Sequence, residues 1–99
     1  MHREIIWSPL AEKDLGDILE YLTDRWDQQV IILFLSKVDY ATNQIAKIPH
    51  QFPIINQSLQ VRKCVITKQN TLFYREINHR IEILRLYDSR QDPKKLKFE

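Results

Sequence analysis

The chain has 99 residues, of which 43% are hydrophobic and 28% charged, and its net charge is +2. This composition predicts one globular domain over residues 1–99 with a single core, and it excludes a disordered chain or a second domain. The lone cysteine, Cys64, excludes an internal disulfide, and the longest apolar run, residues 30–35, is too short to span a membrane. With no apolar leader at the start, these features predict a cytoplasmic protein.

The first predicted elements are a short strand over residues 3–7 and a helix that follows it. The β-branched pair before Trp7 favours the strand. Ser8 is a natural helix N-cap, and a proline at the next position loses no needed hydrogen bond, so the helix should begin at Pro9. It should run to about Asp24, with one apolar stripe at spacings of three and four. The stripe consists of Ala11, Leu15, Ile18, Leu19, Leu22 and Trp26.

A second, longer helix is predicted over residues 28–48, after a turn of four residues. Apolar residues recur there with the helical period, and Pro49 ends the helix. Two amphipathic helices joined by so short a turn lie antiparallel and need a further apolar surface to cover. The segment 50–58, which contains Pro53 and Asn56, reads as an irregular loop.

The last forty residues predict three strands, 61–66, 71–77 and 80–87. A two-residue turn at Asn78-His79 would place Arg75 opposite Glu82, and it would also pair Tyr74 with Ile83 and Phe73 with Leu84. The predicted fold is α+β in two layers, an antiparallel sheet on an antiparallel helix pair, in the order β-α-α-β-β-β.

Both faces of this predicted sheet are apolar. One face carries Leu72, Tyr74, Ile81 and Ile83, and the other carries Phe73, Ile77, Leu84 and Leu86. Because two helices cover only one face of a small sheet, either the C-terminal segment or a partner chain should cover the second.

Positive charge is concentrated in the strand-rich half. Residues 60–99 contain ten Lys/Arg and five Asp/Glu, whereas residues 1–59 contain five and eight. A basic surface on strands fits a phosphate or an acidic partner protein, although it is also what an ordinary solvated sheet face shows.

Common catalytic arrangements are absent from the sequence. A chain with one glycine has no phosphate-binding glycine loop, and the three histidines stand at unrelated positions, so neither a metal nor a cofactor is expected. The remaining chemistry is that of arginines and lysines with tyrosines, which could grip phosphate and activate a ribose hydroxyl. The alternative is that these arginines pair with neighbouring acids such as Glu82.

Several segments together resemble one known family. They are the β-α-α-β-β-β order, the helix start at residues 8–15, the strand Leu72-Phe73-Tyr74-Arg75, and the run Glu82-Ile83-Leu84-Arg85 leading into residues 88–93. In this order they are similar to the RelE/ParE superfamily of bacterial toxins. The resemblance covers nearly the whole chain. It implies a toxin of a type II toxin-antitoxin module, such as those that stabilise plasmids, with a cognate antitoxin that wraps it through an otherwise disordered segment.

The superfamily has two branches with different targets, and the sequence is nearer one of them. RelE-like members cleave mRNA on the ribosome, and many have an arginine where Thr71 stands and a tyrosine near the end, which this chain lacks after Tyr87. ParE-like members inhibit DNA gyrase, and the run closing with Arg90 and Asp92 is nearer their pattern. The ParE-like branch is therefore favoured, with the RelE-like nuclease and a non-toxic binding module as alternatives.

The resemblance also assigns roles to particular residues. Target or phosphate binding is expected of four cations: Lys63, Arg75, Arg85 and Arg90. If the chain is RelE-like, Arg85, Tyr87 and Arg90 are the candidate catalytic groups, and otherwise Tyr87 is a core aromatic. The antitoxin is expected to cover the apolar residues Phe73, Leu84 and Leu86.

Overall fold

The computed structural model describes residues 3–98, apart from the side chain of Lys95. Its regular elements confirm the predicted α+β fold and add one short strand. They are β1 (Glu4–Trp7), α1 (Pro9–Arg25), α2 (Gln28–Lys47), β2 (Ile54–Asn56), β3 (Val61–Val65), β4 (Asn70–Ile77) and β5 (Arg80–Asp88), with 3-10 turns at Pro49–Gln51 and Pro93–Lys95. None of the described helices is long and apolar enough to cross a membrane.

The five strands form one sheet in the order β1-β5-β4-β3-β2. The first and last strands are parallel neighbours, with Glu4 opposite Arg80 and Trp7 opposite Ile83, and the other pairs are antiparallel. The extra strand, β2, lies in the segment predicted to be a loop. It has three residues and an irregular register with β3, so it is too short to show an alternating pattern in the sequence.

Both helices begin at side-chain caps. Ser8 Oγ accepts a hydrogen bond from the backbone N–H of Ala11 at 3.0 Å, as its position before Pro9 predicts, and Asp27 caps α2 in the same way. The Ser8 hydroxyl also donates to the carbonyl of Leu84 at 2.9 Å. The same residue therefore begins α1 and joins it to β5.

The main core lies between the helix pair and one face of the sheet. Phe34, Val38 and Ile45 of α2 pack there with residues of all the longer strands. The strand residues Leu72, Tyr74, Ile81, Ile83 and Leu86 are fully buried. The Tyr74 hydroxyl donates to the carbonyl of Pro49 at 2.6 Å, which gives the buried phenol a partner.

A bulge in β5 changes the predicted register at one point. Tyr74 lies opposite Ile83 and Arg75 opposite Glu82, as predicted, but Phe73 lies opposite Arg85 instead of Leu84. Because Leu84 is an extra residue in the strand, the alternation of faces shifts after it. The predicted placement of Leu86 on the same face as Phe73 is therefore wrong.

The second face of the sheet has its own small apolar cluster. Val61, Phe73 and Leu84 are buried there, and Leu96 and Phe98 of the C-terminal segment pack on them. The rings of Phe73 and Phe98 are 5.3 Å apart in an edge-to-face arrangement. This confirms the C-terminal segment, one of the two predicted alternatives, as a cover for this face. The predicted fourth member, Ile77, is 41% exposed near the hairpin turn and lies outside this cluster.

Candidate functional site

Most of the predicted site residues lie on the sheet face that the C-terminal segment covers, called here the outer face. Strand alternation places Lys63, Arg75, Arg85 and Tyr87 on the side of Phe73. Arg75 Nε donates to Glu82 Oε1 at 3.0 Å, so this cation has an internal partner. Lys63 is exposed and makes no ion pair within residues 3–98.

Tyr87 is held by two contacts on this face. Its hydroxyl donates to the carbonyl of Gln91 at 3.2 Å, and its ring lies 6.5 Å from that of Phe73. A general base must accept a proton from the substrate at a free oxygen. Here Tyr87 is half-buried, and its hydroxyl already donates to a backbone carbonyl.

Arg85 belongs to a buried ion pair at the edge of the sheet. Its Nε and Nη2 donate to the two carboxylate oxygens of Asp14 at 2.7 and 3.0 Å, and its Nη1 donates to the carbonyl of Lys97 at 2.7 Å. The side chains of Arg85 and Asp14 are 12% and 6% exposed. The hydrogen bond to Asp14 raises the pKa of Arg85. This arginine joins β5 to α1 and to the C-terminal segment, which leaves little of its guanidinium for a substrate.

Arg90 lies on the opposite side of the sheet, the side of the helices. Its Nε donates to Asp88 Oδ1 at 2.8 Å, its Nη2 bonds Oδ2, and its backbone N–H donates to Oδ1 at 2.9 Å. Burial by itself raises the pKa of Asp88, but these bonds hold the pKa below its ordinary value. The guanidinium carbon lies 4.2 Å from the centroid of the Tyr21 ring.

Tyr21 also contacts a second arginine. The guanidinium carbon of Arg25, one helical turn further along α1, lies 4.6 Å from the same ring centroid. Two guanidinium groups thus contact one aromatic ring, and each is attracted by the negative face of its π system. Sequence analysis missed this pair. The spacing of four residues between Tyr21 and Arg25 predicts their contact, but nothing in the sequence links them to Arg90.

A cleft of about 320 Å³ opens beside this cluster. It lies between the turn that joins the helices, the turn before β4 and the residues after β5. Its lining includes Ile18, Tyr21, Trp26, Leu33, Lys37, Asn70 and Arg90. Trp26 is 58% exposed at this cleft, so its predicted place in the buried stripe of α1 is wrong. The helix ends at Arg25, and Trp26 is the extended residue after it.

Asn70 contributes an unsatisfied amide to the wall of the cleft. Thr67 Oγ1 accepts from the backbone N–H groups of Gln69 and Asn70, so its own hydrogen donates to Asn70 Oδ1 at 2.8 Å. This fixes the orientation of the amide. Its Nδ2 is the one buried side-chain polar atom without a hydrogen-bond partner among the residues that the structure describes.

The predicted site residues therefore do not form one constellation. Lys63, Arg75, Arg85 and Tyr87 lie on the outer face, whereas Arg90 lies on the side of the helices. Arg85 is bound there to Asp14 and to the carbonyl of Lys97. Phe73 and Leu84 are buried under the C-terminal segment.

A model of one known family matches the sequence over residues 5–93. It describes the ParE toxin of the type II toxin-antitoxin system parDE. The chain belongs to the ParE toxin family. No curated protein matches the sequence significantly.

Solved structures show that this ParE-family chain shares its fold with several toxins. A chromosomal ParDE toxin-antitoxin system from P. aeruginosa matches with a TM-score of 0.73 and 15% identity, over 88% of this chain and 96% of that one. The RelBE2 complex from Mycobacterium tuberculosis matches with a TM-score of 0.62 and 14% identity, over 89% and 99%. The E. coli DinJ-YafQ complex gives 0.58 and 14%, over 89% and 93%. The fold is thus common to ParE and RelE toxins, and the fold alone leaves the target open.

Proposed function

We propose that this ParE-family chain arrests growth by inhibiting DNA gyrase, and that a cognate antitoxin neutralises it. One observation carries the choice of target. Of the groups that an RNA cleaver would need at one phosphate, Arg90 is separated from the others by the sheet. Arg75, Arg85 and Tyr87 are engaged in internal bonds, which leaves Lys63 as the free cation of the predicted set within residues 3–98. A gyrase inhibitor of this family needs a binding surface and no chemical step of its own.

The chemistry of RNA cleavage explains why this separation matters. The reaction needs a base at the ribose 2′-hydroxyl and donors around the scissile phosphate, and loss of one such group typically costs roughly 10² to 10⁴ in rate. Here Tyr87 donates its hydroxyl to Gln91, Arg85 is bonded to Asp14, and Arg90 lies on the other side of the sheet. Thr71, opposite Tyr87, supplies no charge where many RelE-like toxins have an arginine.

The RelE-like alternative has one observation in its favour. Lys63, Arg75, Arg85 and Tyr87 share the outer face, and Lys63 is exposed. Removal of the C-terminal segment would uncover this face. A nuclease built on it would depend on Tyr87 and would lack the guanidinium of Arg90.

Purified protein distinguishes the two targets. We expect it to block supercoiling by purified DNA gyrase and to leave ribosome-bound mRNA intact. Tyr87→Phe, which removes only a hydroxyl, should inhibit gyrase as well as the wild type does, and Tyr40→Phe, at a 69% exposed position on α2, is the matched control. Cleavage of ribosome-bound mRNA that Tyr87→Phe abolishes and Tyr40→Phe preserves would assign the chain to the RelE-like nucleases. A chain that neither inhibits gyrase nor arrests growth would instead be a binding module.

The expected antitoxin surface is altered by the bulge in β5. Phe73 and Leu84 lie together on the outer face, so an antitoxin that contacts them must displace Leu96 and Phe98. Leu86 lies in the main core. Both Leu84→Ala and Leu86→Ala truncate buried side chains and should lower the stability of the free chain, Leu86→Ala by about 2–5 kcal/mol. Only Leu84→Ala should also weaken the complex with antitoxin. Equal antitoxin affinity for Leu84→Ala and wild type, measured by calorimetry, would place the antitoxin elsewhere.

A further inference from the structure

The cluster around Tyr21 has the composition of a protein-binding hot spot. Tryptophan, tyrosine and arginine are the residues most enriched at the energetic centres of interfaces. Here Trp26 is 58% exposed, and Arg25 and Arg90 both contact the ring of Tyr21. We call this set, together with Lys37, the helix-side surface. Trp26 and the exposed Leu33 line the same cleft, and contiguous exposed apolar residues rimmed by polar groups mark interaction sites.

The lining of the adjoining cleft indicates which kind of partner side chain would bind in it. Its volume is about 320 Å³, and aliphatic side chains of both helices line much of it, among them Ile18, Leu22 and Val30. Leu33, 57% exposed, extends this apolar lining outward along α2. An aliphatic or aromatic side chain fits this wall better than a polar group does.

The polar groups around the cleft favour an acidic partner. Lys37 and Arg90 line the cleft, and Arg25 is exposed to solvent and contacts the ring of Tyr21. Asn70 adds an unpaired amide donor within the wall. Guanidinium groups pair best with carboxylates and phosphates. Three of the four nearby acids are already engaged, since Asp88 is bonded to Arg90, Asp27 caps α2 and Asp17 pairs with Lys13. The fourth, Asp24, is exposed beside Arg25.

Arg90 is also held in place before any partner arrives. Two hydrogen bonds from its guanidinium to Asp88 and the contact with Tyr21 restrict its side chain, although that side chain is 42% exposed. A restricted cation loses less conformational entropy on binding than a free one. Asp88 and Tyr21 are therefore positioning residues for Arg90.

We infer that the helix-side surface binds the toxin's target protein, through a segment that carries an acidic residue next to an apolar anchor. This inference rests on the proposed function and specifies where the target is bound. A protein segment fits better than nucleic acid because three cations beside an apolar cleft cannot follow a chain of phosphates. The target fits better than the antitoxin because the antitoxin is proposed to act at Phe73 and Leu84, on the opposite side of the sheet.

The test compares variants of this surface with matched variants elsewhere on the full chain. Arg25→Ala and Trp26→Ala alter exposed side chains of the surface, and Arg80→Ala and Tyr40→Ala alter exposed side chains outside it. Binding to purified DNA gyrase, binding to purified antitoxin and growth arrest are measured for each. We expect Trp26→Ala and Arg25→Ala to weaken gyrase binding by roughly tenfold or more and to relieve growth arrest, while antitoxin affinity and both controls stay within about threefold of wild type.

Each result then supports or overturns the inference. Unchanged growth arrest in both surface variants overturns it, and so does an equal loss of antitoxin affinity, which would make this the antitoxin surface. Binding of the wild type to a short DNA duplex that Arg25→Ala abolishes would replace the protein partner with nucleic acid. If wild-type chain arrests growth without binding gyrase, the proposed function fails. Relief of that arrest by Trp26→Ala, with antitoxin affinity intact, would still support the surface for a different target.

Discussion

The buried ion pair between Asp14 and Arg85 should make a large contribution to the stability of this fold. Replacement of Arg85 by methionine keeps most of the apolar bulk and removes the charge. Asp14 would then lose two hydrogen bonds, at 2.7 and 3.0 Å, and keep only the one it accepts from the backbone N–H of Leu86 at 3.0 Å. Its carboxylate, 6% exposed, would remain buried without a counter-charge.

The expected loss is a large fraction of the total stability. Removal of one partner from a buried pair typically costs about 3–5 kcal/mol, and a whole domain is stable by only about 5–15 kcal/mol. For a domain of this size each kcal/mol lowers the melting temperature by roughly 4–8 °C. Arg85→Met should therefore melt at least about 12 °C below wild type. The same change also removes the bond to the carbonyl of Lys97, which should loosen the C-terminal segment.

Urea denaturation followed by circular dichroism measures this loss. Lys13→Ala is the matched control because Lys13 and Asp17 form an ion pair on the same helix whose side chains are 72% and 47% exposed, and it should leave the stability unchanged. A loss below about 1 kcal/mol for Arg85→Met, the value typical of exposed pairs, would refute the reasoning. The double variant Asp14→Leu with Arg85→Met should lose less than the two single variants together, since neither charge is then left alone.

Four further outcomes are expected. Gly16→Ala should stabilise the chain by about 0.5–1 kcal/mol in thermal melts, because nothing lies within 4 Å of the added Cβ in this helix; a destabilised variant would contradict the open space there. Asp88→Asn should make the stability of the chain less sensitive to acid. The bonds from Arg90 hold the folded-state pKa of Asp88 below its ordinary value of 3.8. The carboxylate of Asp88 therefore stabilises the fold above pH 3.8, and this stabilisation is lost as the pH falls through the folded-state pKa. The thiol of Cys64, buried with its pKa raised to about 11, should react with a disulfide reagent at pH 8 only after unfolding, and rapid labelling of the native chain would show an open strand. Phe98→Ala should cost about 1 kcal/mol in urea, as expected for a half-buried ring, and should increase binding of a hydrophobic dye.

The sequence by itself determined the helices and the central hairpin. Apolar residues at helical spacing and the cap at Ser8 fixed α1 and α2, because these signals act over one or two turns. The turn residues Asn78 and His79 both adopt positive φ, 52° and 62°, which the two-residue hairpin loop requires. The resemblance to the family was visible in the sequence because the order of these elements along the chain can be predicted without the tertiary structure.

Only the tertiary structure decided the details that position the site. The bulge at Leu84 forms where Ser8 and Asp14 hydrogen-bond the edge of β5, across 76 and 72 residues of sequence. Tyr21 and Arg90 likewise meet because α1 packs on β5. Such contacts depend on how the helix and the strand are placed in space, and periodicity and local propensity report only on neighbours along the chain. One extra residue in a strand exchanges the two faces for all the residues after it, so Leu86 lies in the core. A pairing rule that assumes a regular hairpin places Leu86 on the opposite face.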